Sequence, residues 1–146
     1  MIIREFSEQD IDEITSLMKK LCVLQNKQFD EERWRTSLEK HMKKENSEVM
    51  VAFDKNNNQV LGMAQCSVLN SEIGVRFGYI SNLIVREEKR RTGIGEMLMH
   101  HIIDYFKKQH IQSIRLALKK KLDKAAETLF IKLGFQDILH IYELKI

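Results

Sequence analysis

The most constraining stretch of this 146-residue chain is Arg90-Arg91-Thr92-Gly93-Ile94-Gly95. It follows the apolar run "YISNLIV" and precedes the amphipathic run "EMLMHHIIDYF". A short apolar run rich in β-branched residues reads as a strand, and apolar residues at helical spacing read as a helix. Two arginines and two glycines therefore sit where a strand turns into a helix. A helix N-terminus leaves four backbone N–H groups without intrahelical partners, and the aligned peptide dipoles add partial positive charge there. Such an end binds anions, phosphate foremost. Glycine lets backbone approach a ligand closely because it has no Cβ, which suits Gly93 and Gly95. Arg90 and Arg91 can add charge-assisted hydrogen bonds. The plainer alternative is a basic turn with two conformationally useful glycines. Two familiar phosphate loops are excluded: the sequence holds no G-x-x-x-x-G-K-[ST], and no G-x-G-x-x-G followed by an acidic residue at the end of the next strand.

The elements around this loop can be read from periodicity. "IIREF" predicts a first strand, and Ser7 is placed to cap the helix that follows, whose apolar face is Ile11, Ile14, Met18 and Leu21. A second helix is predicted from Asp30 to about Lys44, with acidic residues first and basic residues last, as the helix dipole favours. Its apolar stripe is Trp34, Leu38 and Met42. "EVMVAFD" and "VLGMAQCSVL" predict a hairpin turning at Asn56, Asn57 and Asn58, with Gly62 as a bulge. "GYISNLIV" is the strand that enters the glycine loop. The helix after the loop carries Ile94, Met97, Leu98, Ile102 and Tyr105 on one face. "SIRLAL" predicts a further strand. A last helix carries Ala126, Leu129, Phe130 and Leu133 and stops at Gly134. "FQDIL" and "HIYELKI" predict two closing strands. The expected fold class is α/β with a mixed sheet, hairpins early and a strand-helix-strand crossover late, over residues 1–146 as one domain.

The apolar fraction of 43% is enough for a core, and the net charge of +3 does not by itself imply nucleic acid. Cys22 and Cys66 make no disulfide framework and no Cys-x-x-Cys pair, and read as buried thiols in a reducing compartment. His41, His100, His101, His110 and His140 show no metal-ligand spacing, so no metal is expected. The N-terminus lacks the pattern of a signal peptide, and no apolar run approaches the length of a membrane span. The expectation is a cytoplasmic protein that acts on neither membrane nor nucleic acid. A nucleic-acid binder would use the basic clusters at Arg86, Lys89, Arg90 and Arg91 and at Lys119, Lys120, Lys121 and Lys124; these lack the interleaved aromatics of single-strand recognition.

The strand ending at Val85, the spacer, and Arg90-x-x-Gly93-x-Gly95 opening a helix resemble the central signature of the GNAT superfamily of acyl-CoA-dependent N-acetyltransferases. The segment from Asp123 to Phe135, with Ala126, Leu129, Phe130, Gly134 and Phe135 in register, resembles that superfamily's later signature. The first strand and the "EQDIDEI" helix start are similar to its opening. The resemblance covers essentially the whole chain and is strongest over residues 78–135.

The resemblance implies a central mixed sheet flanked by about four helices, with acetyl-CoA as co-substrate. It implies that Arg90, Arg91, Thr92, Gly93, Ile94, Gly95 and the N–H of Glu96 hold the coenzyme's pyrophosphate. The strand ending at Val85 would splay from "SIRLAL", and the pantetheine arm would lie in the gap against the backbone of Leu83, Ile84 and Val85. Asp123, Ala126 and Phe130 would complete the cofactor wall, and one of the lysines after "SIRLAL" would meet the ribose phosphate. The backbone N–H of Leu83 is the matching position for polarising the thioester carbonyl. The acceptor implied is a primary amine of a small molecule or protein. Its pocket would be formed by the first two helices, including Trp34, and by the loop holding Arg76 and Phe77.

Three positions depart from the superfamily's pattern. Phe130 stands where many relatives place a tyrosine acid, Asp123 replaces a frequent asparagine, and Ser81 stands where many place a glutamate base. Tyr79 and Tyr142 remain as candidate proton donors. The alternative these departures keep open is a catalytically weak acyl-CoA-binding sensor. Pairing of the late strands across a homodimer is a further expectation.

Overall fold

The computed structural model describes residues 1–43, 46–118 and 124–146. β1 (Ile2–Glu5) is followed by α1 (Ile11–Leu24) and α2 (Glu31–Lys43). Then come β2 (Ser47–Asp54), β3 (Gln59–Asn70) and β4 (Arg76–Val85), α3 (Ile94–Lys108), β5 (Ile114–Leu116) and α4 (Lys124–Lys132). The sheet runs β1-β2-β3-β4-β5 in space. Every pairing is antiparallel except β4–β5, which is parallel. The mixed sheet and its four helices are those the sequence predicts.

Local chemistry starts and ends these elements. Ser7 opens one 3-10 turn, Glu8–Asp10, before α1 begins. The buried Asp10 accepts the Ser7 N–H at 2.8 Å and is gripped by both terminal nitrogens of Arg4 at 2.6 and 3.0 Å. Asp30 starts α2, with its carboxylate accepting the N–H of Arg33 and its carbonyl that of Trp34. Asp54 holds the Asn56–Asn57 turn, and Asn58 takes φ +50°, the left-handed geometry asparagine tolerates. Gly134 ends α4 at φ +96°.

Two apolar layers sandwich the sheet. On one face α3 and α4 pack through Ile94, Leu98, Met99, Ile102, Phe106 and Phe130. On the other, α1 and α2 pack through Ile14, Leu17, Leu21, Trp34 and Leu38. Two expected stripe residues differ: Met97 and Met42 are about half exposed, and Phe106 rather than Tyr105 fills the centre of its layer. Gly78 faces the Phe106 ring so closely that a Cβ there would lie 2.7 Å from it. The hairpin bulge falls at Leu61, opposite the step from Ala52 to Phe53, and not at Gly62. Gly62 is small for a different reason, since a Cβ would sit 2.9 Å from the Ile84 carbonyl of the next strand.

The two closing strands expected in "FQDIL" and "HIYELKI" are absent. Phe135 packs on Phe130, but residues 136–146 join no ladder. Ile138, Leu139, Ile141, Tyr142, Leu144 and Ile146 are all at least 71% exposed. Alternating apolar residues supply a strand's side-chain pattern, but a strand forms only where a neighbouring backbone completes its hydrogen bonds.

Candidate functional site

Among the described residues, β4 and β5 pair at Gly78–Ile114, Tyr79–Arg115 and Ile80–Leu116. Beyond that point β4 continues to Val85, still paired with β3, while β5 ends at Leu116. At the parting, Ser81 is an extra residue: Cys66 faces Ile80 and Gln65 faces Asn82, leaving Ser81 without a partner on β3. A one-residue bulge of this kind bends its strand and leaves one backbone unit out of the ladder. The result is a cleft of about 510 Å³ between the end of β4, residues 116–118 and α4. Leu83 and Val85 form one wall, Leu116 and Leu118 the other, and Ala126, Leu129 and Phe130 of α4 close the floor.

The mouth of the cleft is the glycine loop. Arg90 lies against the end of β4, its Nε donating to the Val85 carbonyl at 3.2 Å. The Thr92 hydroxyl donates to the Lys89 carbonyl at 2.5 Å, turning the loop back on itself. Arg91 takes φ +64° and Gly93 φ +86°, both left-handed. Gly93 is the residue before α3 and has no side chain to satisfy the helix's first N–H groups. The first backbone bond of α3 runs from Met97 to the Gly93 carbonyl, so the N–H groups of Ile94, Gly95 and Glu96 precede it. Lys89, Arg90, Arg91, Gly93, Ile94, Gly95 and Glu96 line this end of the cleft. Glu96 would repel an anion here if left alone. Lys132 reaches it from α4 at 3.0 Å and His100 from the next turn at 3.7 Å, and this pairing holds the carboxyl below its ordinary range.

Arg86 is not part of this mouth. Its guanidinium donates to the Val60 carbonyl at 2.6 Å and to Glu13 at 3.0 Å, so it ties α1 to β3. The basic cluster of the sequence is therefore divided between a structural ion pair and the loop.

Of the residues singled out in the sequence, Leu83, Ile84, Val85, Arg90, Arg91, Gly93, Ile94, Gly95, Glu96, Ala126 and Phe130 converge on the cleft. Thr92 stands just behind it as the loop's internal tie. Asp123 and Lys119, Lys120 and Lys121 lie outside the described residues. Trp34 does not line an acceptor pocket. It is 8% exposed, its indole N–H donates to the Thr15 hydroxyl at 3.1 Å, and it packs between α1 and α2. Phe77 and Arg76 lie at the start of β4, away from the cleft, with Arg115 stacked 4.3 Å over the Phe77 ring. Tyr79 sits between Ser67 and Arg115 in the sheet, and Tyr142 is 92% exposed in the C-terminal segment; neither lines the cleft. Cys66 is fully buried, and burial pushes its thiol up to about 12, which leaves negligible thiolate to act as a nucleophile.

Sequence reasoning missed the polar residues beneath the bulge. Gln65, in the middle of an otherwise apolar strand, is 4% exposed. Its side chain joins His41 of α2 and Asn82 of β4. Its backbone carbonyl accepts the Ser81 hydroxyl at 3.3 Å. A glutamine inside "VLGMAQCSVL" was the available signal, because a buried amide must find partners. Ser81 also borders a second, polar hollow of about 340 Å³ that includes His41, Ser47 and Ser67.

The architecture recurs in solved proteins. A probable acetyltransferase superposes with a TM-score of 0.83 at 21% identity, over 100% of this chain and 98% of that one. An aminoglycoside 6'-N-acetyltransferase from Acinetobacter haemolyticus superposes with a TM-score of 0.83 at 16% identity, over 100% and 98%. A predicted acetyltransferase with acetyl-CoA from Clostridium acetobutylicum superposes with a TM-score of 0.80 at 20% identity, over 99% and 95%. At these identities the likeness is one of fold. No curated protein matches the sequence. The sequence itself matches the acetyltransferase (GNAT) family over residues 12–135, and the chain belongs to that family.

Proposed function

We propose that this protein transfers an acetyl group from acetyl-CoA to a primary amine by direct attack on the thioester. The observation that carries the reading is the continuity of the cleft. An apolar slot between diverging parallel strands opens at one end onto a glycine-capped helix N-terminus flanked by Lys89, Arg90 and Arg91. A long, mostly apolar arm ending in a pyrophosphate has this polarity. The loop fits the pyrophosphate, since Gly93 and Gly95 put no bulky side chain between the ligand and the N–H groups of α3. The backbone at Leu83, beside the bulge, is the fixed donor proposed to meet the thioester oxygen as negative charge develops.

In the reaction, the amine nitrogen bonds to the carbonyl carbon, the C–S bond breaks, and the thiolate leaves. An alkyl ammonium has a pKa near 10.4, so only about one in a few thousand is neutral at pH 7. A proton must therefore leave the amine before or during attack and one must reach the sulfur. The polar hollow on the far side of Ser81 is the proposed approach for the amine. Acetyl-CoA dependence and N-acetylation are tested together. Acetyl-CoA should raise the melting temperature, and amines from a panel of small molecules and peptides should release free thiol from it. Absence of stabilisation in the folded protein refutes the proposal.

One observation favours a second reading, an acyl-CoA sensor with weak turnover. Among the described residues lining the cleft, Glu96 is the single carboxylate, and it is engaged by Lys132. Phe130, at the floor, has no hydroxyl to protonate a thiolate. Stabilisation by acetyl-CoA with no thiol release across the amine panel would favour this reading.

A further inference from the structure

The bulge at Ser81 is held from below by one residue. Gln65 is 4% exposed in the centre of β3, and three of its polar atoms are committed to neighbours. Its backbone carbonyl accepts from the Ser81 hydroxyl at 3.3 Å, and its Oε1 accepts from Asn82 Nδ2 at 2.5 Å. Its Nε2 lies 3.0 Å from His41 Nε2. Because Oε1 is the acceptor for Asn82, Nε2 is the amide's donor end, and His41 Nε2 receives that bond. The amide is thus fixed from both sides: by α2 through His41 and by β4 through Asn82. On β4 the amide holds Asn82, the residue after the bulge, and the main-chain carbonyl of Gln65 meets Ser81, the extra residue. Both border the cleft, and Leu83 comes next.

A bulge has alternatives. Sliding β4 by one residue would restore an unbroken ladder, and would turn each following side chain to the opposite face. Leu83 and Val85 would leave the α3–α4 face of the sheet and Ile84 would turn toward it. Apolar packing on both faces opposes that slide. Near the bulge itself, however, the local register is marked by polar contacts, and these converge on Gln65. A buried amide left without them carries a desolvation cost, so the arrangement that satisfies it is preferred.

We propose that Gln65, anchored by His41, is a positioning residue that sets the β4 bulge and thereby aims the Leu83 N–H at the thioester carbonyl. The assignment rests on the acetyl-CoA reading above. Gln65 touches no reacting atom; its side chain acts through Asn82, the residue after the bulge. Gln65→Met keeps the length and removes the two side-chain hydrogen bonds while leaving the main-chain carbonyl that Ser81 meets, Asn82→Ala cuts the β4 side alone, and His41→Ala cuts the α2 side alone.

Two readouts separate positioning from general stability. The first needs no ligand. Amide hydrogen exchange at residues 80–83 should rise at least tenfold in Gln65→Met and in Asn82→Ala, with α3 unchanged. The second compares acetyl-CoA with CoA, which share the pyrophosphate and pantetheine but differ in the thioester carbonyl. Gln65→Met should weaken acetyl-CoA about five- to tenfold and leave CoA unchanged, Asn82→Ala should behave alike, and His41→Ala should show a smaller shift in the same direction. Equal weakening of both ligands, or none in a folded variant, overturns the proposal, as does unchanged exchange at residues 80–83. Should Gln65→Met fail to fold, Asn82→Ala decides by the same criteria. A wild-type protein that binds neither ligand refutes the acetyl-CoA reading and this assignment with it. A wild type that binds both, with an unchanged ratio in the variants, refutes only the role of Gln65.

Discussion

Gly93 takes φ +86° at the start of α3, and nothing lies within 4 Å of where its Cβ would stand. Gly93→Ala therefore meets no steric obstacle, and its cost is the backbone alone. Holding a residue with a Cβ in the left-handed region costs roughly 1–2 kcal/mol. For a chain of this size each kcal/mol moves the melting temperature by about 2–4 °C, so the free protein should lose roughly 2–8 °C. Gly95 is the internal control. Its φ is not left-handed, and an added Cβ would make ordinary contacts of 3.6 Å with Leu129 and 3.7 Å with Val85. Gly95→Ala should hold or gain stability, up to about 1 kcal/mol from helix propensity. The assay is thermal unfolding of the three proteins with and without acetyl-CoA. At a hundredfold excess over its dissociation constant the ligand adds about 2.7 kcal/mol to the wild type. That increment should shrink in Gly93→Ala, because relaxing the strained cap moves the N–H groups of α3 off the anion. A free Gly93→Ala protein that melts with the wild type would refute the left-handed cap. A full ligand increment in a destabilised Gly93→Ala would refute the loop as the pyrophosphate cradle.

Two further perturbations test the body of the fold. Burial, and then the neighbouring Glu5, push the Glu48 carboxyl up to about 8. A raised acid pKa contributes stability that is complete below the ordinary carboxyl range and is lost as pH rises toward about 8. The wild-type melting temperature should therefore fall across that window, and Glu48→Gln should flatten the profile and melt higher at alkaline pH; parallel profiles would refute it. Gly78→Ala drives a Cβ to 2.7 Å from the buried Phe106 ring and should cost about 1–3 kcal/mol in urea unfolding. Adding Phe106→Leu should return part of that loss, and a Gly78→Ala protein as stable as the wild type would refute the contact.

Much of the site was legible because its determinants are local. Gly93 and Gly95 stand out by spacing alone, and the helix dipole at α3 needs only the helix. Leu83, Val85, Ala126 and Phe130, which line the cleft, stand in two motifs whose order was readable. Trp34 was misjudged because an indole on an amphipathic helix has the same signature whether it faces a ligand or the next helix. Only the packing of α1 on α2, with Thr15 as hydrogen-bond partner, makes it core. The closing strands were misjudged because alternation in "HIYELKI" specifies two faces but no neighbour.

What the sequence by itself determined is the order of elements from β1 to α4 and the glycine turn that opens α3, since both arise from periodicity, glycine and charge within a few residues. What only the tertiary structure decided is the cleft and its support. The divergence of β4 from β5 depends on pairing that ends at Ile80 and Leu116, residues far apart in the chain. The side-chain clamp beside the bulge joins His41, Gln65 and Asn82 from three separate elements. No local pattern carries such a contact, because a hydrogen bond between distant segments exists only after the sheet has fixed its register and α2 has docked against it.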